Sequence, residues 1–286
     1  MRRLLASRRR IVICGAVVLI VAAVLGGWWG ASRNSDHDSA ASVQGAANSH
    51  SLGTHPGQRA VRPTSSAVAP SRSATPVQAG SNHVDIPKLT LVATIKGAGA
   101  PGSISAGARP TRLVPGQWWQ ASSVLPVVDQ QPGWVLVRLA QRPNGSAAWI
   151  PAKDVSLAAD PYYIVINLGD RRLHLYKNGK EVANFPAGIG VPSAPTPLGQ
   201  FFVALFARAP SPAYGAFVIV TSAHSNVISD WQESGDAITA IHGPLGSDAA
   251  IGTTGAAVSN GCIRLHEPDL TKLRPVPAGT PIEIVE

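Results

Sequence analysis

Apolar residues are spread along the chain in four distinct patterns, and each predicts a different kind of segment. Ile11 to Trp29 is nineteen uncharged, mostly apolar residues. As a helix this run is about 28 Å long, enough to cross a bilayer core. From Asn34 to about His83 large apolar residues nearly vanish in favour of Ser, Ala, Pro, Gly and His. Such a stretch buries too little surface to offset the entropy of ordering, which predicts a disordered tether. From Ile86 to about Leu157, and again beyond Asp160, short alternating runs punctuated by Gly and Pro predict strands. The expected organisation is a cytoplasmic tip and transmembrane signal-anchor over 1–33, a linker over 34–85, and two mostly β domains over 86–158 and 159–286.

Within the third segment, Leu89 to Ile95 alternates, and Trp134 to Leu139 is followed by the turn Arg142-Pro143-Asn144-Gly145 and the strand Ala147 to Ile150. In the fourth, Tyr163 to Leu168 and Leu173 to Tyr176 read as strands, with Asn178-Gly179 as the next hairpin turn. Phe201 to Phe206, Phe217 to Thr221 and Ile282 to Val285 read as further strands. One short helix is predicted near Pro268 to Arg274. Pro268 suits a first helical position, Asp269 suits the positive end of the dipole, and Pro275 and Pro277 end it.

The net charge of +8 invites a nucleic-acid reading, but its location argues against one. Five arginines (Arg2, Arg3, Arg8, Arg9 and Arg10) precede the apolar run, whereas from residue 84 onward 15 Lys and Arg face 14 Asp and Glu. Membrane topology explains the basicity: the arginines stay cytoplasmic, Trp28 and Trp29 suit the far interface, and the rest faces outward. The location this implies is a single-pass cell-membrane protein with its folded part extracytoplasmic. A cleaved signal is the competing reading, although Trp29 at the −3 position relative to Ala31 leaves no small-x-small site. Cys14 lies inside the apolar run and follows no lipoprotein box.

The exported part therefore has a single thiol, Cys262. A thiolate is the attacking form of cysteine, so a nucleophilic Cys262 needs a base or cation to lower its pKa from about 8.5. His242, twenty positions earlier, is the candidate base. Alone, a cysteine is more often a small buried hydrophobe than a nucleophile. In Ser259-Asn260-Gly261-Cys262, however, a tight turn can expose the thiol, and its backbone N–H groups can serve as an oxyanion hole. His224 and Trp231 fall in a loop-like region and are candidate cleft residues. No His-Glu-x-x-His or paired-cysteine spacing offers a metal site, and no cofactor is expected.

His242-Gly243, a spacer, and then Ser259-Asn260-Gly261-Cys262-Ile263-Arg264 resemble the signature of the L,D-transpeptidase (YkuD-type) catalytic domain, as does Thr196-Pro197-Leu198-Gly199-Gln200-Phe201. The resemblance covers about residues 160 to 286. It implies a YkuD-like β-sandwich with the motif between the late strands and the short helix, Cys262 as nucleophile, His242 as base, and the Gly243 carbonyl orienting the imidazole. Gly261, Asn260, Ser259 and Arg264 become substrate-binding or oxyanion candidates. Arg264 either holds a substrate carboxylate or pins the motif loop. Several family members carry His where this chain has Asn260. Gly133-Trp134-Val135-x-Val137 and Trp149-Ile150-Pro151 resemble a bacterial SH3-like barrel, expected as structural support or as a wall contact.

The activity implied is cysteine-dependent acyl transfer on peptidoglycan stem peptides. Cys262 would form a thioester with a tetrapeptide stem and pass it to a neighbouring stem as a 3-to-3 cross-link, and carbapenem-type β-lactams would acylate the same thiol. An L,D-carboxypeptidase, with water as acceptor, and a non-catalytic wall-binding protein are the alternatives. A papain-like endopeptidase places its Cys before its His, and a sortase carries Thr-Leu-x-Thr-Cys; neither pattern is present.

Overall fold

The computed structural model describes residues 84–286 apart from Gln232. The expected membrane anchor and all but the last two residues of the expected tether lie outside the described residues. Among the described residues strands dominate, with short helices only at Asp248–Ile251 and Glu267–Lys272 and two 3-10 turns, as the dense Gly and Pro punctuation requires.

The N-terminal part is a five-stranded antiparallel sheet, in the order Ala147–Pro151, Trp134–Arg138, Val124–Gln131, Thr90–Ile95, Val155–Asp160. Alternation places Ala93, Ile95, Leu125, Val135, Val137 and Ile150 inward. Two ribbons accompany it: Gly99–Gly102 with Arg112–Pro115, and Gln117–Trp118 with Ala121–Ser122.

The C-terminal part is one ten-stranded sheet. Its order is Lys180–Pro186, Arg172–Lys177, Tyr162–Asn167, Pro281–Val285, Gly199–Ala207, Val218–His224, Ile238–His242, Ile263–Arg264, Gly188–Gly190, Ala256–Ser259. A YkuD-like β-sandwich was expected, and its two halves form one curled sheet because of the strand Gly199–Ala207. Its first half pairs with Pro281–Val285, whereas Val203 to Ala207 pairs with Val218–Thr221, with a register shift between Val203 and Leu205. A bulge bends a strand, so the two halves of the sheet close over a common core. Ile164, Ile166, Leu173 and Leu175 from one half share that core with Ile219, Ile241 and Ile263 from the other. Leu265 and the helix residue Leu270 close it.

The apolar run Phe201 to Leu205 reads as a strand buried on both faces. Phe201 and Val203 enter the core of the ten-stranded sheet, while Phe202 and Ala204 enter that of the five-stranded sheet. The two sheets thus share this strand's side chains. Between them, the Thr280 hydroxyl donates to the buried Asp160 carboxylate at 2.6 Å.

The predicted helix at Pro268 to Arg274 lies at Glu267–Lys272. Pro268 falls in its first turn, and the His266 backbone takes the capping position.

Candidate active site

Two ladder rungs bring the motif halves together. Ile238–His242 runs parallel to Ile263–Arg264 with Ile241 opposite Ile263 and His242 opposite Arg264, and the Leu265 N–H donates to the His242 carbonyl at 2.9 Å. Ile241 and Ile263 point into the core. Side chains alternate along a strand, so Ala240, His242, Cys262 and Arg264 share the opposite face. The Ala240 N–H accordingly hydrogen-bonds the Cys262 thiol.

His242 is buried, and its Nδ1 lies 2.7 Å from the Gly243 carbonyl oxygen. A carbonyl only accepts, so Nδ1 carries the proton and Nε2 of the neutral ring holds a free lone pair. Gly243 itself is fixed by its N–H donating to the Tyr214 carbonyl at 2.7 Å, and the Tyr214 ring packs on the imidazole. A Cβ on residue 243 would sit 2.8 Å from the carbonyl carbon of Tyr214, so this approach admits only glycine.

The turn before the thiol is held internally. Ser259 Oγ accepts the Gly261 N–H at 3.1 Å and donates to the Cys262 carbonyl at 2.5 Å. Gly261 has φ +114, open to glycine and strained for other residues. Its carbonyl accepts from Thr196 Oγ1 at 3.0 Å, and that oxygen in turn accepts the Gly190 N–H at 2.9 Å. Thr196, buried and bonded on both sides, ties the Thr-Pro segment to the motif loop. Ser259 and Gly261, grouped in the sequence with substrate-contacting or oxyanion residues, spend these hydrogen bonds on the shape of the turn. Asn260 is exposed and lines a cleft of about 70 Å³ with Cys262, Ser225, Ile228, Trp231, Ala237, Ile238 and Thr239.

Arg264 donates through Nη1 to Ser247 Oγ at 2.7 Å, which anchors it to the segment before the Asp248–Ile251 helix. Its guanidinium still acts electrostatically on Cys262, His242 and Tyr214. His266 turns away: Nδ1 meets Asp248 Oδ1 at 2.7 Å and Nε2 meets the Gly252 carbonyl oxygen at 3.0 Å. Of the two loop candidates, Trp231 lines the cleft, while His224 ends a strand, buried, with Nδ1 2.8 Å from Asp236 Oδ2.

The electrostatics correct one expectation from the sequence. A thiol pKa lowered by His242 was anticipated, but burial pushes the Cys262 thiol up, and the Ala240 N–H and the Arg264 charge offset this only in part. Burial pushes His242 down to about 4, with the Gly243 hydrogen bond opposing and Arg264 adding to the fall. Desolvation favours the neutral form of each group, which favours thiol and imidazole over thiolate and imidazolium in the resting pair. Sequence reasoning did not single out Tyr214, Ala240 or Thr196 as site residues. The first two act through ring packing and a main-chain N–H, which no residue-type pattern announces.

The YkuD protein of Bacillus subtilis (strain 168) is 31% identical over 125 residues, which cover 43% of this chain and 66% of the relative. That of Bacillus licheniformis is 30% identical over 125 residues, with the same shares. The chain therefore spans just under two thirds of the length of these curated relatives. Among solved structures, an L,D-transpeptidase from Mycobacterium smegmatis is 15% identical, covering 69% of this chain and 99% of its own, with a TM-score of 0.37. L,D-transpeptidase 3 from Mycobacterium tuberculosis, in complex with a faropenem-derived adduct, is 16% identical, covering 57% and 91%, also at 0.37. Residues 161–284, which hold every element of the site just described, match the family model of the YkuD L,D-transpeptidase catalytic domain.

Proposed function

We propose that this chain is a peptidoglycan L,D-transpeptidase working through a Cys262 thioester. The observation that carries this is the buried His242, whose Nδ1 is pinned to the Gly243 carbonyl at 2.7 Å on the sheet face it shares with Cys262. A base oriented by a third group beside a thiol is what nucleophilic acyl transfer needs. The family match over residues 161–284 supports the reaction class.

Cys262 Sγ attacks the carbonyl carbon of the third residue of a tetrapeptide stem while its proton passes to His242 Nε2. Because the resting pair is neutral, proton transfer accompanies attack and does not precede it. His242 then protonates the departing amine of the terminal D-alanine as the C–N bond breaks, which leaves the thioester. The side-chain amine of a second stem attacks, gives its proton to His242 and expels Cys262, which takes that proton from His242 as it leaves, making a 3-to-3 cross-link. The exposure of Asn260 at the cleft supports a role for it in meeting the stem. Carbapenem-type β-lactams enter the same first step as strained amides.

The arginines before Ile11 and the length of the apolar run support a single-pass membrane protein with this domain outside, within reach of the wall through its tether. Protease accessibility in intact cells tests that orientation.

The reaction is tested by mass spectrometry of products after incubating residues 84–286 with tetrapeptide-bearing muropeptides. Loss of D-alanine with a new cross-linked dimer is expected. D-alanine loss with tripeptide alone would make the chain an L,D-carboxypeptidase. Unchanged substrate with a reduced thiol would leave a non-catalytic wall-binding protein.

A further inference from the structure

We propose that Arg142 and Asn144, in a turn of the five-stranded part, are positioning residues for substrate: they hold loop 225–237 as one wall of the Cys262 cleft. Each of the three guanidinium nitrogens of Arg142 bonds to that loop. Nε donates to Asp236 Oδ1 at 2.7 Å, Nη1 to the Ser225 carbonyl at 2.8 Å and Nη2 to the Ile228 carbonyl at 3.0 Å. These acceptors come from the start of the loop, one turn further on, and its end. The loop is pinched at its base, where the Ser225 N–H donates to the Ala237 carbonyl at 2.8 Å.

Asn144 works beside it, at the end of the strand Val218–His224. Its side-chain carbonyl accepts the His224 N–H at 2.9 Å, and its Nδ2 donates to the His224 carbonyl at 2.7 Å and to Asn226 Oδ1 at 3.1 Å. An amide bonded to both the N–H and the C=O of one residue acts as a short piece of neighbouring strand. The turn carrying both residues is itself braced, with the Leu139 N–H donating to the Ser146 carbonyl at 2.8 Å and Ser146 Oγ to the Pro143 carbonyl at 2.7 Å.

The held loop supplies Ser225, Ile228 and Trp231 to the cleft that Asn260 and Cys262 also line. Most of the loop beyond Ser225 is exposed, so burial does little to fix it. Bonds within the loop, such as Ile228 N–H to Ser225 Oγ at 3.0 Å and Gly235 N–H to Asp230 Oδ1 at 2.9 Å, shape it, while those from Arg142 and Asn144 tie it to the five-stranded part, where a planar guanidinium suits three acceptors in a fixed fork. The five-stranded part, which has no His or Cys between residues 86 and 157, thus contributes to the site through a wall it shapes, not through a reacting group.

The kinetic arm of the test rests on the transpeptidase reading; the exchange arm does not. In the full-length chain, Arg142→Ala should speed amide exchange at Val227, Ile228 and Ala237 by about tenfold or more, with the strand Tyr162–Asn167 unchanged. KM for a disaccharide-tetrapeptide should rise by about tenfold with kcat within about threefold, the mark of lost positioning and not lost chemistry. Alkylation of Cys262 by iodoacetamide, too small to need the wall, should stay within about twofold. Arg142→Lys should fall between, since an ammonium cannot span the fork. Unchanged loop exchange in Arg142→Ala would overturn the proposal, as would a kcat loss with constant KM. If Arg142→Ala fails to fold, Asn144→Ala carries the same test, and unchanged exchange at Ser225 and Asn226 overturns it. Absence of wild-type turnover would instead count against the transpeptidase reading, with the exchange result still deciding the role of Arg142.

Discussion

Tyr214 packs on His242 with ring centroids 4.8 Å apart and planes inclined by 47°, while its carbonyl accepts the Gly243 N–H at 2.7 Å. One residue of a 3-10 turn thus fixes both the imidazole and the peptide whose carbonyl orients it. Gly243→Ala should break this, because the added methyl meets the Tyr214 main chain at 2.8 to 2.9 Å. The expected result is a stability loss of about 1 to 3 kcal/mol with acylation reduced well beyond that of a destabilised control. Tyr214→Phe keeps ring and carbonyl and should acylate like wild type; paired unfolding and acylation measurements check both.

Acid should weaken the fold through His242. Its folded pKa of about 4 lies below the ordinary 6.5, so the unfolded state binds more protons between those values. Stability is therefore full above pH 6.5 and falls as pH drops to 4, by up to about 3 kcal/mol from this group. His266, raised by Asp248 and the Gly252 carbonyl, acts in the opposite sense: its contribution is present at acid pH and lost as pH rises through its folded value. Urea unfolding at pH 4.5 and 7 should show a net loss on acidification that shrinks in His242→Gln and grows in His266→Ala.

The neutral resting pair has a kinetic consequence. Acylation needs neutral His242, so its acid limb should lie near pH 4 and not near 6.5. Iodoacetamide alkylation of Cys262, which needs thiolate, should climb into the alkaline range with no plateau near neutrality. A plateau there would mean a preformed thiolate and imidazolium.

Phe202 is buried in the cluster of the five-stranded sheet although its strand belongs to the ten-stranded one. Phe202→Ala should cost about 3 to 5 kcal/mol in a denaturant titration. Deleting residues 1 to 157 would expose Phe202 and Ala204 and remove Arg142, so the remaining part should be poorly soluble and weakly active. From the sequence, the five-stranded part was expected as structural support, and this shared strand is one physical route for that support.

Cys262, His242 and the strand pattern around them were legible because each is announced locally, by alternation, by turn residues or by a motif. The single curled sheet was not, since it depends on one strand changing partners between Phe202 and Val203, which apolar alternation leaves unmarked. The Gly243 carbonyl contact followed from the family resemblance, and the hydrogen bond at 2.7 Å is present in the structure. The roles of Arg142, Asn144 and Tyr214 were illegible for another reason: their partners lie about 30 to 95 residues away and are mostly main-chain atoms, which carry no residue signature.

The most direct test of the central claim is peptide-mapped mass spectrometry of the chain during incubation with a carbapenem. The wild type should gain one adduct on Cys262. Cys262→Ser should gain none, because a serine hydroxyl in a site built for a thiol stays protonated. His242→Ala should react about 100-fold more slowly with its fold intact, while His266→Ala, whose ring nitrogens are both engaged elsewhere, should react like wild type. An unmodified wild type with its thiol reduced, or a large loss at His266 with little at His242, would contradict the account.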